Sequence, residues 1–188
     1  MTREAGIAIF PCQARLTRWP WARASLPAGV RSGAWCAGIS LLCLAADIAT
    51  KAWALSALRG HPVTVAGGLV RLQLVINHGA AFGIAAHFEP LLTLASVAGV
   101  ILLGLWAARA SAMAEKLGAA VAAAGGAGNL LDRLARPPAV LHGGVVDWLH
   151  LSFYGPTFNL ADVWLRGGLL IAGGVWLWHQ RAGPVLGR

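Results

Sequence analysis

The sequence predicts an all-α membrane protein of four transmembrane helices, with a small β-rich cradle outside the membrane and a loop over it. Three observations carry this. The 188 residues are 57% hydrophobic and only 12% charged, whereas soluble domains are about half apolar and a quarter charged. Four apolar stretches, near residues 33–55, 88–108, 114–134 and 160–180, each come close to the ~20 residues a helix needs to cross the hydrocarbon. The two longer segments between them mix Gly and Pro with β-branched residues, which suits short strands and turns rather than helix. So few charges could not keep this much Leu, Ala, Val and Trp dispersed in water, which excludes soluble scaffolds, disordered tails and nucleic-acid modules. The formal charge of +8 comes from scattered basic residues without a folded basic surface, so nucleic acid is not an expected partner.

Residues 1–31 carry Arg3, Arg15, Arg18, Arg23 and Arg31 against Glu4 alone. An arginine-rich flank before a first apolar segment stays on the cytoplasmic side, so these residues read as a basic cytoplasmic extension. Trp19 and Trp21 suit an interfacial segment. A cleavable signal peptide is the competing reading, but the apolar run from Gly33 to Ala46 continues into more helix-compatible sequence. The first span contains Asp47 and Lys51, spaced i, i+4 to form an ion pair that fastens it to its neighbours. Cys12, Cys36 and Cys43 are odd in number and lack metal-site spacing; Cys36 and Cys43 fall two turns apart on one helix, as small buried residues.

Residues 60–77 alternate Val70, Leu72 and Leu74 with Arg71 and Gln73, a short-strand pattern. The second span, Pro90 to Ala108, has no charge. The turn after it (Arg109, Lys116) and the tail (Arg181, Arg188) are basic, which places both termini in the cytoplasm, with residues 182–188 as a cytoplasmic tail and 32–181 as a single membrane domain. The third span ends GGAGNLLDR, with Asn129, Asp132 and Arg133 on one face beside small residues that admit a neighbouring helix. Residues 135–158 hold Pro137, Pro138, Gly143, Gly144, Gly155 and Pro156 and fold over the outer membrane surface. The fourth span begins FNLAD, repeating the Asn-x-x-Asp spacing with Asn159 and Asp162.

The chain has four aspartates, Asp47, Asp132, Asp147 and Asp162. Three sit within or at the ends of apolar spans, where an ionised carboxylate is costly unless paired or hydrated. Asp147 lies in HGGVVDWLHL, a strand-like segment that brings it toward the start of span four. Two carboxylates converging at low dielectric share a proton, as in aspartic proteases, where one activates water and its protonated partner polarises an amide carbonyl. On chemistry alone a catalytic dyad and a proton-relay pair stand level, and Asn159 reads equally as helix cap and as substrate contact. The six histidines lack metal-ligand spacing and no serine sits in a Gly-x-Ser-x-Gly elbow, which disfavours zinc and serine hydrolases.

In order, the chain reads DIATK (47–51), NHGAAFG (77–83), GGAGNLLDR (125–133), GGVVDW (143–148) and FNLAD (158–162). Together these motifs closely resemble bacterial lipoprotein signal peptidase, or signal peptidase II, over residues 47 to about 180. The resemblance implies an intramembrane aspartic endopeptidase of the bacterial inner membrane. Such an enzyme cleaves diacylglyceryl-modified prolipoproteins before their lipidated cysteine, near the outer face. It implies a dyad of Asp147 and Asp162, with Asn77, Asn129, Asp132, Arg133 and Asn159 supporting substrate and dyad and Asp47 with Lys51 as a further pair. It implies no metal or organic cofactor, membrane lipids as surroundings, and a monomer. The loop after Gly60 and the one containing Phe82 would cover the substrate. Three features depart from the family pattern: a long segment between Asp132 and Asp147; Arg166, spaced to pair with Asp162 or to reach the headgroups; and the arginine-rich N-terminal extension. The competing readings are a carrier or assembly protein that uses the same aspartates without catalysis, and an inactive homologue.

Overall fold

The structure, a computed structural model, describes residues 28–79 and 89–182. The expectations for Cys12, Trp19, Trp21 and the Phe82 loop therefore lie outside the described residues, as do residues 183–188 of the tail. Four long helices form: α1 (Ala28–Ala57), α2 (Glu89–Arg109), α3 (Met113–Ala135) and α4 (Leu160–Ala182). Four strands, β1 (Val63–Val65), β2 (Val70–Asn77), β3 (Val145–Leu151) and β4 (Thr157–Phe158), form one antiparallel sheet in sequence order. The chain is thus mostly helical, with the sheet drawn from the segments after α1 and after α3.

The helical part is inverted relative to a soluble bundle, with large apolar side chains such as Leu42 (71% exposed), Leu102 (65%) and Leu170 (77%) on its outside. Such faces are stable only against lipid. Among the described residues three helices, α1, α2 and α4, are long and apolar enough to cross a membrane. The least apolar of the four is α3, because it is the centre of the bundle: α1, α2 and α4 all pack on it. Its buried Glu115 carboxylate is met by a neighbouring helix, accepting from the Trp106 indole N–H at 2.7 Å. A Cβ on Gly125 of α3 would lie 2.6 Å from the Leu165 backbone nitrogen of α4, so only glycine lets these backbones touch.

The alternation expected in β2 breaks. A bulge between Leu72 and Val75 shifts the pairing with β3 from Leu72↔Leu149 to Val75↔Asp147. The extra residue resets the alternation so that Asn77 comes alongside Asp147. The sheet joins the helices through Val146, which is fully buried against Ala54 and Leu58 of α1, while Trp53 and Trp148 meet edge to face at 5.6 Å. Cys36 is buried and Cys43 only half-buried on α1, and both are free thiols.

Candidate active site

The site forms where the sheet meets the C-terminal end of α3 and the start of α4. The Asn159 side chain ties its parts together. Its Oδ1 accepts the Asp162 N–H at 3.0 Å and the Asp162 carboxylate lies 3.4 Å from the Asn159 N–H, the reciprocal geometry of a capping box at the start of α4. The two N–H groups of its Nδ2 are shared among Asp147 Oδ1 at 2.7 Å, Asn129 Oδ1 at 3.0 Å and the Val146 carbonyl at 3.2 Å. The cap reading of Asn159 holds, and the same side chain holds the two aspartates in register.

Asp147 comes from β3 and is 2% exposed. Its second oxygen accepts from Asn77 Nδ2 at 3.1 Å. Burial, and next the charge of Asp162, push its pKa up to about 7, against the hydrogen bonds from Asn77 and Asn159 and the charge of Lys51. Asp162 accepts from Asn129 Nδ2 at 3.0 Å. Both aspartates line a cavity of about 370 Å³ that occupies the space between α2 and α4 over α3. A second cavity, of about 600 Å³, reaches Asp147 from the sheet side past His78 and Tyr154.

Beneath the aspartates lies a buried charged layer. Lys51 Nζ sits 2.8 Å from Asp47 and 3.0 Å from Asp132, and donates to Asn129 Oδ1 at 3.0 Å. The i, i+4 pair expected within α1 therefore forms and extends to α3. Asp132 also accepts the Val146 N–H at 3.1 Å and pairs with Arg136. Arg133 donates to the Gly79 carbonyl at 2.7 Å, which fixes the end of β2 beside Asn77. All nine residues singled out from the sequence thus meet in one network.

The long segment between Asp132 and Asp147 does not displace β3. It is held where the Thr93 hydroxyl donates to the Leu141 carbonyl at 2.9 Å, where the Gly143 N–H donates to Arg133 at 3.1 Å, and by the Asp132 contact to Val146. Arg166 does not pair with Asp162: its guanidinium donates to the Tyr154 hydroxyl at 2.8 Å and lies over that ring, 5.8 Å from its centroid. The i, i+4 spacing allowed the ion pair, but an aromatic hydroxyl on the β3–β4 turn takes the side chain instead. Tyr154 was the functional neighbour that sequence reasoning missed, since nothing in the spacing links a turn tyrosine to α4. Gly128, one of the small residues expected to admit a neighbouring helix, admits the Asp47 side chain of α1: a Cβ there would collide with the Asp47 carboxylate.

The signal peptidase II family pattern matches residues 39–177. The chain belongs to the signal peptidase II family. Among its relatives, the lipoprotein signal peptidase of Mycobacterium tuberculosis is 37% identical over a match covering 71% of this chain and 66% of that protein. The lipoprotein signal peptidase of Rhodococcus jostii is 38% identical over 68% of this chain and 65% of the relative. The chain thus spans just under two thirds of the length of these relatives. Two solved structures of bacterial membrane enzymes, obtained in meso at 2.3 and 1.9 Å, share the fold. The first superposes with a TM-score of 0.71 at 20% identity, covering 82% of this chain and 94% of the other. The second gives 0.65 at 22% identity, covering 77% and 93%. Signal peptidase II membership and the apolar helices together make this a membrane protein.

Proposed function

We propose that this chain is an intramembrane aspartic endopeptidase that cleaves the signal peptide of diacylglyceryl-modified prolipoproteins immediately before the lipidated cysteine. The observation that carries the reading is the Asn159 side chain, which bonds to Asp147 and to the backbone of Asp162 at the wall of one cavity. Two carboxylates so held, Asp147 buried and Asp162 half-buried, form a dyad that carries one proton near neutral pH, and the burial of Asp147 beside the charge of Asp162 favours that proton on Asp147.

In the reaction, Asp162 takes a proton from a water whose oxygen bonds to the scissile carbonyl carbon, while Asp147 donates its proton toward the carbonyl oxygen. The tetrahedral intermediate collapses as the carbon–nitrogen bond breaks: the amine leaves with the proton held by Asp162, and an O–H proton of the intermediate returns to Asp147 as the product carbonyl re-forms, restoring the dyad. Asn77, Asn129 and Asn159 keep both carboxylates aimed at the same point. Arg133 holds the end of β2, and the layer of Asp47, Lys51 and Asp132 holds α1, α3 and β3 at fixed height beneath the dyad.

All four helices span the bilayer in this reading, α3 shielded by the other three. Both termini are cytoplasmic, residues 1–31 and 182–188 flank the peptidase domain 32–181, and the dyad lies near the outer face of the inner membrane. The substrate is itself lipid-embedded, so its cleavage site reaches that depth without leaving the bilayer. The molecule works as a monomer among membrane lipids.

The test is cleavage of a diacylglyceryl-modified prolipoprotein by the purified, detergent-solubilised chain, beside Asp147→Asn and Asp162→Asn variants of matched melting behaviour. Cleavage by the parent and none by either variant is the expected result. A folded parent without activity, in conditions where a known family member works, would overturn the reading in favour of an inactive homologue or a carrier.

A further inference from the structure

We propose that Arg166 is a specificity-determining residue that donates hydrogen bonds to the ester carbonyl oxygens of the substrate's diacylglyceryl group; this rests on the peptidase reading above. Arg166 follows Asp162 by one turn of α4, which sets it about 6 Å along the helix axis on the same face. It lines the dyad's cavity together with the apolar Leu92, Val100 and Leu165. Among the described residues no carboxylate lies within ion-pair distance of it, and its guanidinium meets the neutral Tyr154. A guanidinium carries five N–H donors and no acceptor, so beside an apolar wall within a membrane protein it seeks neutral oxygens.

The substrate brings such oxygens to this place. Cleavage falls next to the lipidated cysteine, and its side chain, thioether and glyceryl carbons put the ester groups roughly 6 Å from the cysteine backbone at bond lengths near 1.5 Å. With the scissile bond at Asp162, the esters reach the level of Arg166. Tyr154, packed edge to face on Phe158 at 5.6 Å, orients the guanidinium at the cavity rim without neutralising it. Arg166 thereby distinguishes a diacylglyceryl group from an alkyl chain of equal length, which the apolar wall alone would accept.

The experiment compares two lipopeptides of identical sequence, one with ester-linked and one with ether-linked chains, on the parent, Arg166→Ala and Tyr154→Phe. A charge-assisted hydrogen bond predicts that replacing ester by ether raises the parent's KM about tenfold. Arg166→Ala should raise KM on the ester substrate by a similar factor, show no further loss on the ether, and keep kcat. Tyr154→Phe should retain the ester preference. Equal losses on both substrates from Arg166→Ala, matched by Tyr154→Phe, would make Arg166 a strut for the β3–β4 turn and overturn the proposal. So would an unchanged KM, or a loss that appears only when anionic phospholipid is present, which would assign the guanidinium to a lipid phosphate. Absence of cleavage by the parent on either substrate would defeat the peptidase reading itself, and this inference with it.

Discussion

Asp47 and Ala161 are 114 positions apart, and Asp47 Oδ1 accepts the Ala161 backbone N–H at 2.9 Å. The first turn of any helix leaves N–H groups without partners. In α4 the Ala161 N–H is met by a carboxylate from α1 and the Asp162 N–H by Asn159. A residue of the first helix thus sets the height of the turn that carries Asp162.

That role separates Asp47 from the dyad. Asp47→Ala removes the cap and one carboxylate facing Lys51, and should cost about 3 kcal/mol. The melting temperature in detergent falls, while each folded molecule keeps part of its activity. Asp147→Asn and Asp162→Asn should do the reverse, losing activity while the protein stays folded. An Asp47→Ala protein that melts normally and is fully inactive would move Asp47 into the reaction.

Among the described residues Lys51 is the one cation that pairs with both Asp47 and Asp132. Lys51→Met leaves both carboxylates facing each other without it and should destabilise by about 3–5 kcal/mol. Adding Asp47→Asn to Lys51→Met should recover part of that loss, because one of the stranded charges is gone. Additive losses in the double variant, measured by thermal melting, would contradict the shared layer.

Gly125 marks where α3 touches α4. The nearest α4 atoms to a Cβ there are backbone, so Gly125→Ala must push the helices apart, at about 1–3 kcal/mol. Because Asp162 rides on α4 and is bonded to Asn129 of α3, activity should fall with it. Gly104→Ala on α2 meets open space and should change neither quantity, which makes it the control.

Much of this was legible beforehand because membrane chains spend charge sparingly. Asp47, Lys51, Asp132 and Asp162 stand out of apolar runs, and each has a buried partner. Helix spacing could pair Asp47 with Lys51, since that contact is local. It could not foresee that Lys51 also reaches α3, because such contacts depend on how helices cross. The same holds for Arg166, where local spacing offered Asp162 and the fold supplied Tyr154. The bulge in β2 was invisible because β-branched residues suit either face, yet it decides that Asn77 meets Asp147.

Asp147 gives a pH dependence with a defined sign. Its pKa stands at about 7 against 3.8 for an ordinary aspartate. Between those values the folded protein holds a proton that the unfolded chain has released, so stability falls as pH rises through this window and levels off above about 7. Asp147→Asn cannot lose that proton, so its melting profile should be flatter over the same range. Cleavage should decline above about pH 7 as the dyad's shared proton leaves. The Asn77 hydrogen bond favours the ionised form, so Asn77→Ala should raise the Asp147 pKa further and move the alkaline limb of kcat/KM to higher pH, along with a lower maximum. A merely structural Asn77 would lower the maximum and leave the limb in place, and a limb moving to lower pH would contradict the assignment of the proton to Asp147.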